Sequence, residues 1–97
     1  MTYTFTAKVW VYDGPAAWHF ITLPQHVAED IEVRFGHVKR GWGSLPVEVQ
    51  VGHTKWSTSI FTDKKSGSFL LPIKSKVRHQ ADIASEDNID LILSIKA

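Results

Sequence analysis

The sequence predicts a mainly β protein with two short helices. Apolar and polar residues alternate over several stretches, which is the period of a half-buried strand. The dipeptide Leu-Pro occurs at Leu23-Pro24 and at Leu71-Pro72, and at each an apolar strand pattern changes to helical spacing. The last pattern, from Ile89 to Ile95, alternates so regularly that we expect it inside a sheet and not as a free tail.

The first half of the chain contains two predicted strands. The first runs from Thr4 to Tyr12, and its apolar face is made of Phe5, Ala7, Val9 and Val11, with Trp10 on the opposite face. Asp13-Gly14-Pro15 ends it, because Gly tolerates positive φ and Pro cannot continue a ladder. A second strand follows from Trp18 to Thr22.

A helix is predicted from Pro24 to Phe35. Pro costs no hydrogen bond at the first helical position. The apolar residues that then recur at helical spacing are Val27, Ala28, Ile31 and Phe35. Gly36 is a suitable C-terminal stop. The glycine-rich segment from Gly36 to Leu45 has no period and is predicted to be a loop.

The stretch VGHTKWSTSIF, from Val51 to Phe61, holds a histidine, a lysine and several hydroxyls, and is either a site or a β-hairpin. Valines alternate with polar residues ahead of Gly52-His53, which has the Gly that a type II′ turn needs first. This turn pairs residue 51 with 54, 49 with 56 and 47 with 58. Val49 and Trp56 then share the inner face, whereas Ser57 points to the other. We therefore predict a hairpin and not a catalytic cluster.

The second half repeats the order of strand, Leu-Pro and helix. Phe69 to Leu71 is too short for a helix and is bounded by Pro72, so it predicts a strand. Ile73, Val77 and Ala81 lie on one helical face. The two Leu-Pro junctions stand 48 positions apart. Two interpretations remain open: a duplication, which would make the chain a pseudo-duplicate, or recurrence of a common junction.

Length and composition indicate one domain that spans residues 1–97. There is no cysteine, so folding does not rely on disulfides. The start MTYTFTAKVW lacks the features of a signal peptide, and no apolar run approaches the length of a membrane span. We expect a cytoplasmic protein with no membrane partner. The net charge of +1 gives no overall attraction to nucleic acid or to anionic membrane.

Three stretches, GPAAWHFITLP, GWGSLPVEVQVGHTKWSTSIF and KKSGSFLLPIKSKVR, resemble a small prokaryotic family, the domain of unknown function DUF1905. With the first and last strands, the resemblance covers nearly the whole chain. It implies a double-split β-barrel, a pseudobarrel capped by two short helices, similar to the swapped-hairpin DNA-binding proteins of the AbrB and MazE type. In those regulators two chains each supply half of the barrel. Here the paired Leu-Pro helices suggest that one chain supplies both halves, and the protein is either a monomer or a homodimer.

Two positions depart from the family pattern. Thr62 stands where proline is usual, and Glu86 stands where a Gly-Asp turn is usual before the last strand. Glycine eases the positive φ that such turns demand. We therefore expect Asp87 or Asn88 to adopt that conformation instead.

Basic residues cluster between Asp63 and His79. The candidate nucleic-acid contacts are Lys64, Lys65, Lys74, Lys76 and Arg78. The next segment, from Gln80 to Asp90, carries four acids and no base. The favoured interpretation is a solvated surface whose opposite charges compensate each other. The alternative is a phosphate-binding face, which the resemblance to the regulators implies.

Trp42 lies between two glycines and near Arg40, and these two residues are the candidate ligand-binding site for a planar or anionic molecule. No catalytic or nucleotide-binding motif is present, and the five histidines are scattered, so we expect no metal and no cofactor. The first hypothesis is a non-catalytic binding module with an unknown small-ligand or protein partner. The second is an AbrB-like nucleic-acid-binding or regulatory protein, and the third is a small enzyme.

Overall fold

The structure is a computed structural model that describes residues Met1–Ala97. The strands are β1 (Thr2–Val11), β2 (His19–Thr22), β3 (Ser44–Val51), β4 (Thr54–Asp63), β5 (Ser68–Pro72) and β6 (Asn88–Ile95). The α-helices are α1 (Gln25–Phe35) and α2 (Ser75–Ala81), and two single-turn 3-10 helices span Gly36–Val38 and Gly41–Gly43.

The six strands form one closed antiparallel barrel in the order β1-β2-β5-β4-β3-β6. The predicted mainly β fold with two short helices is confirmed. The last strand, β6, pairs with β1 on one side and with β3 on the other, as its regular alternation indicates. Closure leaves no free sheet edge. Neither α-helix has the length and apolar composition that crossing a membrane requires.

One core of 20 buried apolar side chains fills the barrel and continues beneath the helices. The inward residues of β6 are Ile89, Leu91, Leu93 and Ile95. α1 adds Val27, Ala28 and Ile31, and α2 adds Val77. The strand alternation and the helical spacing thus point to the same interior.

The hairpin of β3 and β4 has the predicted register. Val51 pairs with Thr54, and Val49 pairs with Trp56. Gly52 has a φ of 58°, as a glycine at this turn position requires. Trp56 packs against the core, while Ser57 is exposed on the other face. The hydroxyls and the tryptophan of this stretch therefore belong to opposite sides of the sheet.

The helix boundaries differ from the prediction at three places. Pro24 has a ψ of 146° and is the N-cap of α1, so the helix begins one residue later. Ile73 is buried but precedes α2, because Lys74 is the extended N-cap residue, with a ψ of 154°. Gly36 is right-handed, with a φ of −56°, and leads directly into a 3-10 turn. The predicted stop at Gly36 does not use the left-handed freedom of glycine.

The prediction that Val11 lies on the buried face of the first strand is wrong. Its side chain is 39% exposed. Val11 forms the last pair of the β1–β2 ladder, opposite His19, where the barrel wall ends. The alternation of β1 therefore continues past the part of the strand that covers the core.

Glu86 itself adopts the left-handed conformation expected of Asp87 or Asn88, with a φ of 71°. Its backbone N–H donates to the carbonyl of Val9 at 2.8 Å, and its carboxylate lies 3.3 Å from the ammonium of Lys8. Asp87 instead accepts a 2.8 Å hydrogen bond from the Ala84 N–H. Two β1 contacts thus hold Glu86 in a conformation that its side chain disfavours.

The barrel has an approximate internal two-fold symmetry. Along the chain, each half has the order strand, strand, helix, strand. The barrel order is also symmetric: if β1 is exchanged with β4, β2 with β5 and β3 with β6, every strand keeps the same pair of neighbours. Thr22 pairs with Leu70, and Val47 pairs with Ile95. The partners in both pairs are 48 positions apart, the same offset as the Leu-Pro junctions. A recurring junction alone does not predict this agreement, so the register favours the duplication interpretation.

Candidate functional site

A cleft of about 380 Å³ lies where the start of β2 meets the start of α2. Its walls are residues 16–20, residues 72–75 and Arg78, and we call it the β2–α2 cleft. Its volume falls in the range of about 300–1,000 Å³ that is typical of small-molecule sites.

The pairing of β2 with β5 creates the cleft from two distant parts of the chain. Phe20 lies opposite Pro72 in the ladder. Just beyond it, the Ile73 N–H donates to the carbonyl of His19 at 2.9 Å. The loop before β2 and the segment that enters α2 are therefore fixed side by side.

An aromatic row forms one wall of the cleft and continues onto the outer surface of the barrel. The ring centroids of Trp10 and Phe20 are 5.2 Å apart, and those of Trp18 and Phe20 are 6.3 Å apart with the rings at 66°. The Trp10 indole N–H donates to Thr22 Oγ1 at 2.9 Å, which fixes the inner end of the row. Trp18, at the outer end, is 62% exposed. A large aromatic face is thus available at the cleft.

Two cations form another part of the cleft wall. Lys74 is exposed, whereas Arg78 is half-buried and donates from Nη1 to the Ile73 carbonyl at 2.8 Å. No carboxylate lines the cleft. Neither cation has an acidic partner within 4.0 Å. The wall therefore carries positive charge that no protein group neutralises directly.

His19 also lines the cleft. Its Nδ1 lies 2.8 Å from the carbonyl oxygen of Ala17. Because a carbonyl can only accept, Nδ1 carries the proton, and Nε2 of the neutral ring is an acceptor. Ala17 has a left-handed φ of 46°, a costly conformation for alanine. The hydrogen bond to His19 helps to hold this strained residue at the edge of the cleft.

A second cavity of about 330 Å³ lies between α1 and the end of β4. Its charged residues are Glu29, Glu32, Lys39, Asp63 and Lys64. Lys39 donates to Glu32 at 2.8 Å, so part of this charge is already paired. Under the 48-residue offset of the internal two-fold, three of the ten lining residues of each cavity correspond: residues 16, 19 and 20 of the first and residues 64, 67 and 68 of the second. The β2–α2 cleft is aromatic and cationic, and the second cavity carries three carboxylates and two lysines.

The structure distributes the predicted nucleic-acid contacts over two places. Lys74 and Arg78 line the β2–α2 cleft, and Lys76 is exposed on α2 outside it. Lys64 and Lys65 lie in the turn before β5, and only Lys64 lines a cavity, the second one. The two groups are at opposite ends of β5, whose five residues span about 17 Å. They do not form one compact patch.

The acidic segment that follows does not pair with these cations. Glu86 contacts Lys8, and Asp87 accepts from the Ala84 N–H. Asp90 accepts a hydrogen bond from the Thr6 hydroxyl. None of the predicted basic residues takes part in an ion pair. No ion pair within 4.0 Å joins the basic segment to the acidic one, and the solvated surface with compensating charge stays a prediction.

Arg40 and Trp42, the predicted ligand-binding pair, lie in neither cavity. Trp42 is 90% exposed and has a left-handed φ of 63°. The loop around it is firmly held: the Arg40 N–H donates to the Ser44 carbonyl at 2.8 Å, and the Thr62 hydroxyl donates to the Gly43 carbonyl at 2.7 Å. Thr62, the departure from the family pattern, thus fastens the tryptophan loop to β4.

Tyr3 and Asp30 form a titratable pair outside both cavities. The Tyr3 hydroxyl donates to Asp30 Oδ2 at 2.7 Å, and Arg34 Nε donates to the same oxygen at 2.9 Å. Burial raises the pKa of Tyr3 to about 12, and the hydrogen bond to Asp30 adds to the rise. The same hydrogen bond lowers the pKa of Asp30 against an opposing effect of desolvation, and Arg34 lowers it further. The pair ties β1 to α1.

The structure brings no three histidine, aspartate or glutamate side chains into a group that could hold a metal ion. Inside the β2–α2 cleft, no hydrogen bond joins the Ser75 hydroxyl to His19, whose Nδ1 is bonded to a backbone carbonyl. The charged and aromatic residues that line the cleft are Trp18, His19, Phe20, Lys74 and Arg78.

Sequence patterns alone did not single out Trp18, Phe20, His19 or Ser75 as site residues. The signal that points to them is the 48-residue repeat. In the structure the two-fold axis passes between β2 and β5, which pair with each other at Thr22 and Leu70. That pairing places the segment before β2 beside the start of α2. Trp18 is an exposed aromatic residue that lines the same cleft as Lys74 and Arg78.

No curated protein matches the chain. Residues 5–93 match the model of the family described as a domain of unknown function, DUF1905. The match covers most of the 97 residues, and the chain therefore belongs to the DUF1905 family.

Proposed function

We propose that this protein is a non-catalytic binding module that takes a small ligand in the β2–α2 cleft. The observation that carries the proposal is that an exposed aromatic side chain, Trp18, and the half-buried Arg78 line one cleft. Aromatic walls with a few placed polar groups are the usual composition of small-molecule sites. Arg40 and Trp42, which lie outside the cleft, become a peripheral surface in this proposal.

The assignment as non-catalytic is supported by the groups that line the cleft. A nucleophile is ordinarily activated by a base within hydrogen-bonding reach, which is in turn oriented by a third group. No hydrogen bond joins the Ser75 hydroxyl to His19, the one histidine that lines the cleft, and no carboxylate lines it. Two permanent cations and a ring face favour binding over proton transfer.

The proposal is tested by two-dimensional ¹H–¹⁵N NMR spectra of the labelled protein with a panel of one-ring and two-ring compounds. We expect the shifted amides to be those of residues 16–20 and 73–78, at millimolar or lower ligand concentration. The proposal fails if no compound shifts these amides, or if the shifts concentrate at Gly41–Gly43. Trp18→Ala is the matched variant that should abolish the shifts while keeping the dispersed spectrum of the folded barrel.

A second candidate function is nucleic-acid binding, as the resemblance to AbrB-type regulators implies. The observation that favours it is that Lys74, Lys76 and Arg78, all within the α2 segment, have no acidic partners. Such residues are available to neutralise phosphates, and each contact steepens the dependence of affinity on salt.

Fluorescence anisotropy with labelled random duplex DNA at 50 and 200 mM salt distinguishes the two candidates. Phosphate contacts predict binding that weakens steeply with salt, and Lys76→Gln should reduce the slope of log K against log salt by about one. Absence of binding at 50 mM salt removes the nucleic-acid candidate and leaves the small-ligand proposal in place.

A further inference from the structure

We infer that the ligand of the β2–α2 cleft is a planar anion: an aromatic ring that carries a carboxylate or a phosphate. The inference rests on the proposed function and names its ligand class. The ring would lie against Trp18, and the acidic group would meet Arg78 and Lys74.

Charge is the first support. Two cations and no carboxylate line this cleft, whereas three carboxylates and two lysines line the second cavity. The two cavities have similar volumes, about 380 and 330 Å³, but only the β2–α2 cleft has cations without any carboxylate. A cationic ligand would be repelled by the β2–α2 cleft, and a neutral one would leave its two cations without a partner.

The placement of Arg78 is the second support. A guanidinium has five N–H donors in a fixed plane and suits carboxylate and phosphate groups. One donor of Arg78 is bonded to the Ile73 carbonyl, which holds the head group in place and leaves the others for a ligand. Because this hydrogen bond already orders the Arg78 side chain, ligand binding costs little further side-chain entropy.

The aromatic wall is the third support. Trp18 meets Phe20 edge to face, so its orientation is set by packing, although 62% of the residue remains exposed. A ring face held in this way can stack on another planar group. The observed volume accommodates a fused two-ring acid, and the cations line the same cleft as the ring.

A charge series on one ring system tests the inference by isothermal titration calorimetry. The probes are 2-naphthoate, 2-naphthyl phosphate, 2-naphthamide and 2-naphthylmethylammonium. We expect each anion to bind at least tenfold more tightly than the amide, and the ammonium compound to bind weakest. The two anions identify the source: preference for 2-naphthoate assigns a carboxylate ligand, and preference for 2-naphthyl phosphate assigns a phosphate ligand.

Substitutions locate the charge preference. Lys74→Gln and Arg78→Gln should each lower the affinity for the preferred anion about tenfold and leave the amide unaffected. Lys76→Gln is the matched control, because this lysine is on the same helix but does not line the cleft. Lys74 makes no hydrogen bond through its side chain, so Lys74→Gln stays informative if Arg78→Gln unfolds the α2 start.

Failure of the anion inference and failure of the proposed function give different results in these titrations. Equal affinity for the amide and the anions overturns the anion inference and leaves the cleft as a neutral-ligand site. Loss of anion binding in Lys76→Gln equal to that in Lys74→Gln also overturns it, because a diffuse positive surface would then account for the preference. If none of the four probes binds at millimolar concentration, the proposed function itself fails.

Discussion

Leu93 and Ile92 are neighbours in β6, yet Leu93 is fully buried, whereas Ile92 is 41% exposed. Leu93 pairs with Tyr3 of β1 and Val49 of β3 inside the barrel wall, and the alternation of the strand turns Ile92 outward. The exposure of these two residues depends on the register of β6, because a slip of this strand by one position would bury Ile92 and expose Leu93.

Leu93→Ala is predicted to lower the free energy of unfolding by about 2–5 kcal/mol, since it leaves a cavity in the core. Ile92→Ala, one residue away, is predicted to change it by no more than about 0.5 kcal/mol. Urea denaturation followed by tryptophan fluorescence measures both. Equal losses in the two variants would contradict the assigned register.

Removal of the Tyr3 hydroxyl should weaken the protein in a pH-dependent way. The folded-state pKa of Asp30 lies below its ordinary 3.8, mainly because of the hydrogen bond from Tyr3. The ionised carboxylate therefore stabilises the fold above the ordinary pKa, and this stabilisation is lost as the pH falls through the lowered value. Tyr3→Phe should be less stable than the wild type at pH 7, and the difference should shrink below pH 4.

Tyr12→Phe is the control for this experiment, because Tyr12 is 56% exposed and its hydroxyl makes no hydrogen bond. Urea denaturation of both variants from pH 3 to pH 7 supplies the comparison. A difference between Tyr3→Phe and the wild type that stays constant with pH would show that Asp30 does not depend on this hydroxyl.

Tyr3 also predicts the alkaline behaviour of the protein. Its pKa is raised to about 12, mainly by burial, so the folded state keeps its phenol protonated after the unfolded chain has lost the proton. Stability contributed by Tyr3 is present below pH 10 and is lost as the pH rises toward 12. Ultraviolet difference spectra should show Tyr3, identified by its absence in Tyr3→Phe, ionising only near pH 12. Ionisation near pH 10 with the fold intact would exclude the buried hydrogen bond.

Trp42→Gly should stabilise the protein. A left-handed conformation costs a non-glycine residue roughly 1–2 kcal/mol, and the greater freedom of glycine in the unfolded chain cancels part of the gain. The expected net increase in the free energy of unfolding is about 0.5–1 kcal/mol. Gly43→Ala should have the opposite effect, because Gly43 also has a positive φ of 61° and a Cβ there would overlap Thr62. Thermal denaturation measures the stability of both variants. If Trp42→Gly destabilises the protein, the indole makes a contact that stabilises the fold by more than the left-handed backbone conformation costs.

The alternation of apolar residues was sufficient to predict the strands and the hairpin register. Val49 and Trp56 pair as predicted because the two-residue turn at Gly52-His53 leaves only one alignment that buries the valines. At the ends of the strands and helices, the alternation of apolar residues no longer predicts which side chains are buried. Val11 continues an alternation that the barrel no longer covers, and Ile73 is buried from an extended segment whose spacing resembles a helix. Burial there depends on the neighbouring strands and not on the local sequence.

The candidate site was only partly predictable. Lys74 and Arg78 were identified from their charge, and the cleft contains both. Trp18 was not identified from the sequence. Its role depends on the β2–β5 pairing, which joins segments about 50 residues apart and has no local sequence signal. Local sequence instead pointed to Trp42, whose flanking glycines and nearby arginine are also those of a surface loop. The left-handed turn that exposes Trp42 follows from contacts with Thr62, on another strand.

The two exposed tryptophans allow the most direct test of the account. Trp18 lines the β2–α2 cleft, whereas Trp42 is 90% exposed and lies in no cavity. The measurement is the dissociation constant of 2-naphthoate for the wild type, Trp18→Ala and Trp42→Ala. Loss of a stacked aromatic face should weaken binding about tenfold or more in Trp18→Ala, and Trp42→Ala should match the wild type. Weakened binding in Trp42→Ala with unchanged binding in Trp18→Ala would contradict the assignment of the cleft and place the ligand on the Arg40 and Trp42 loop.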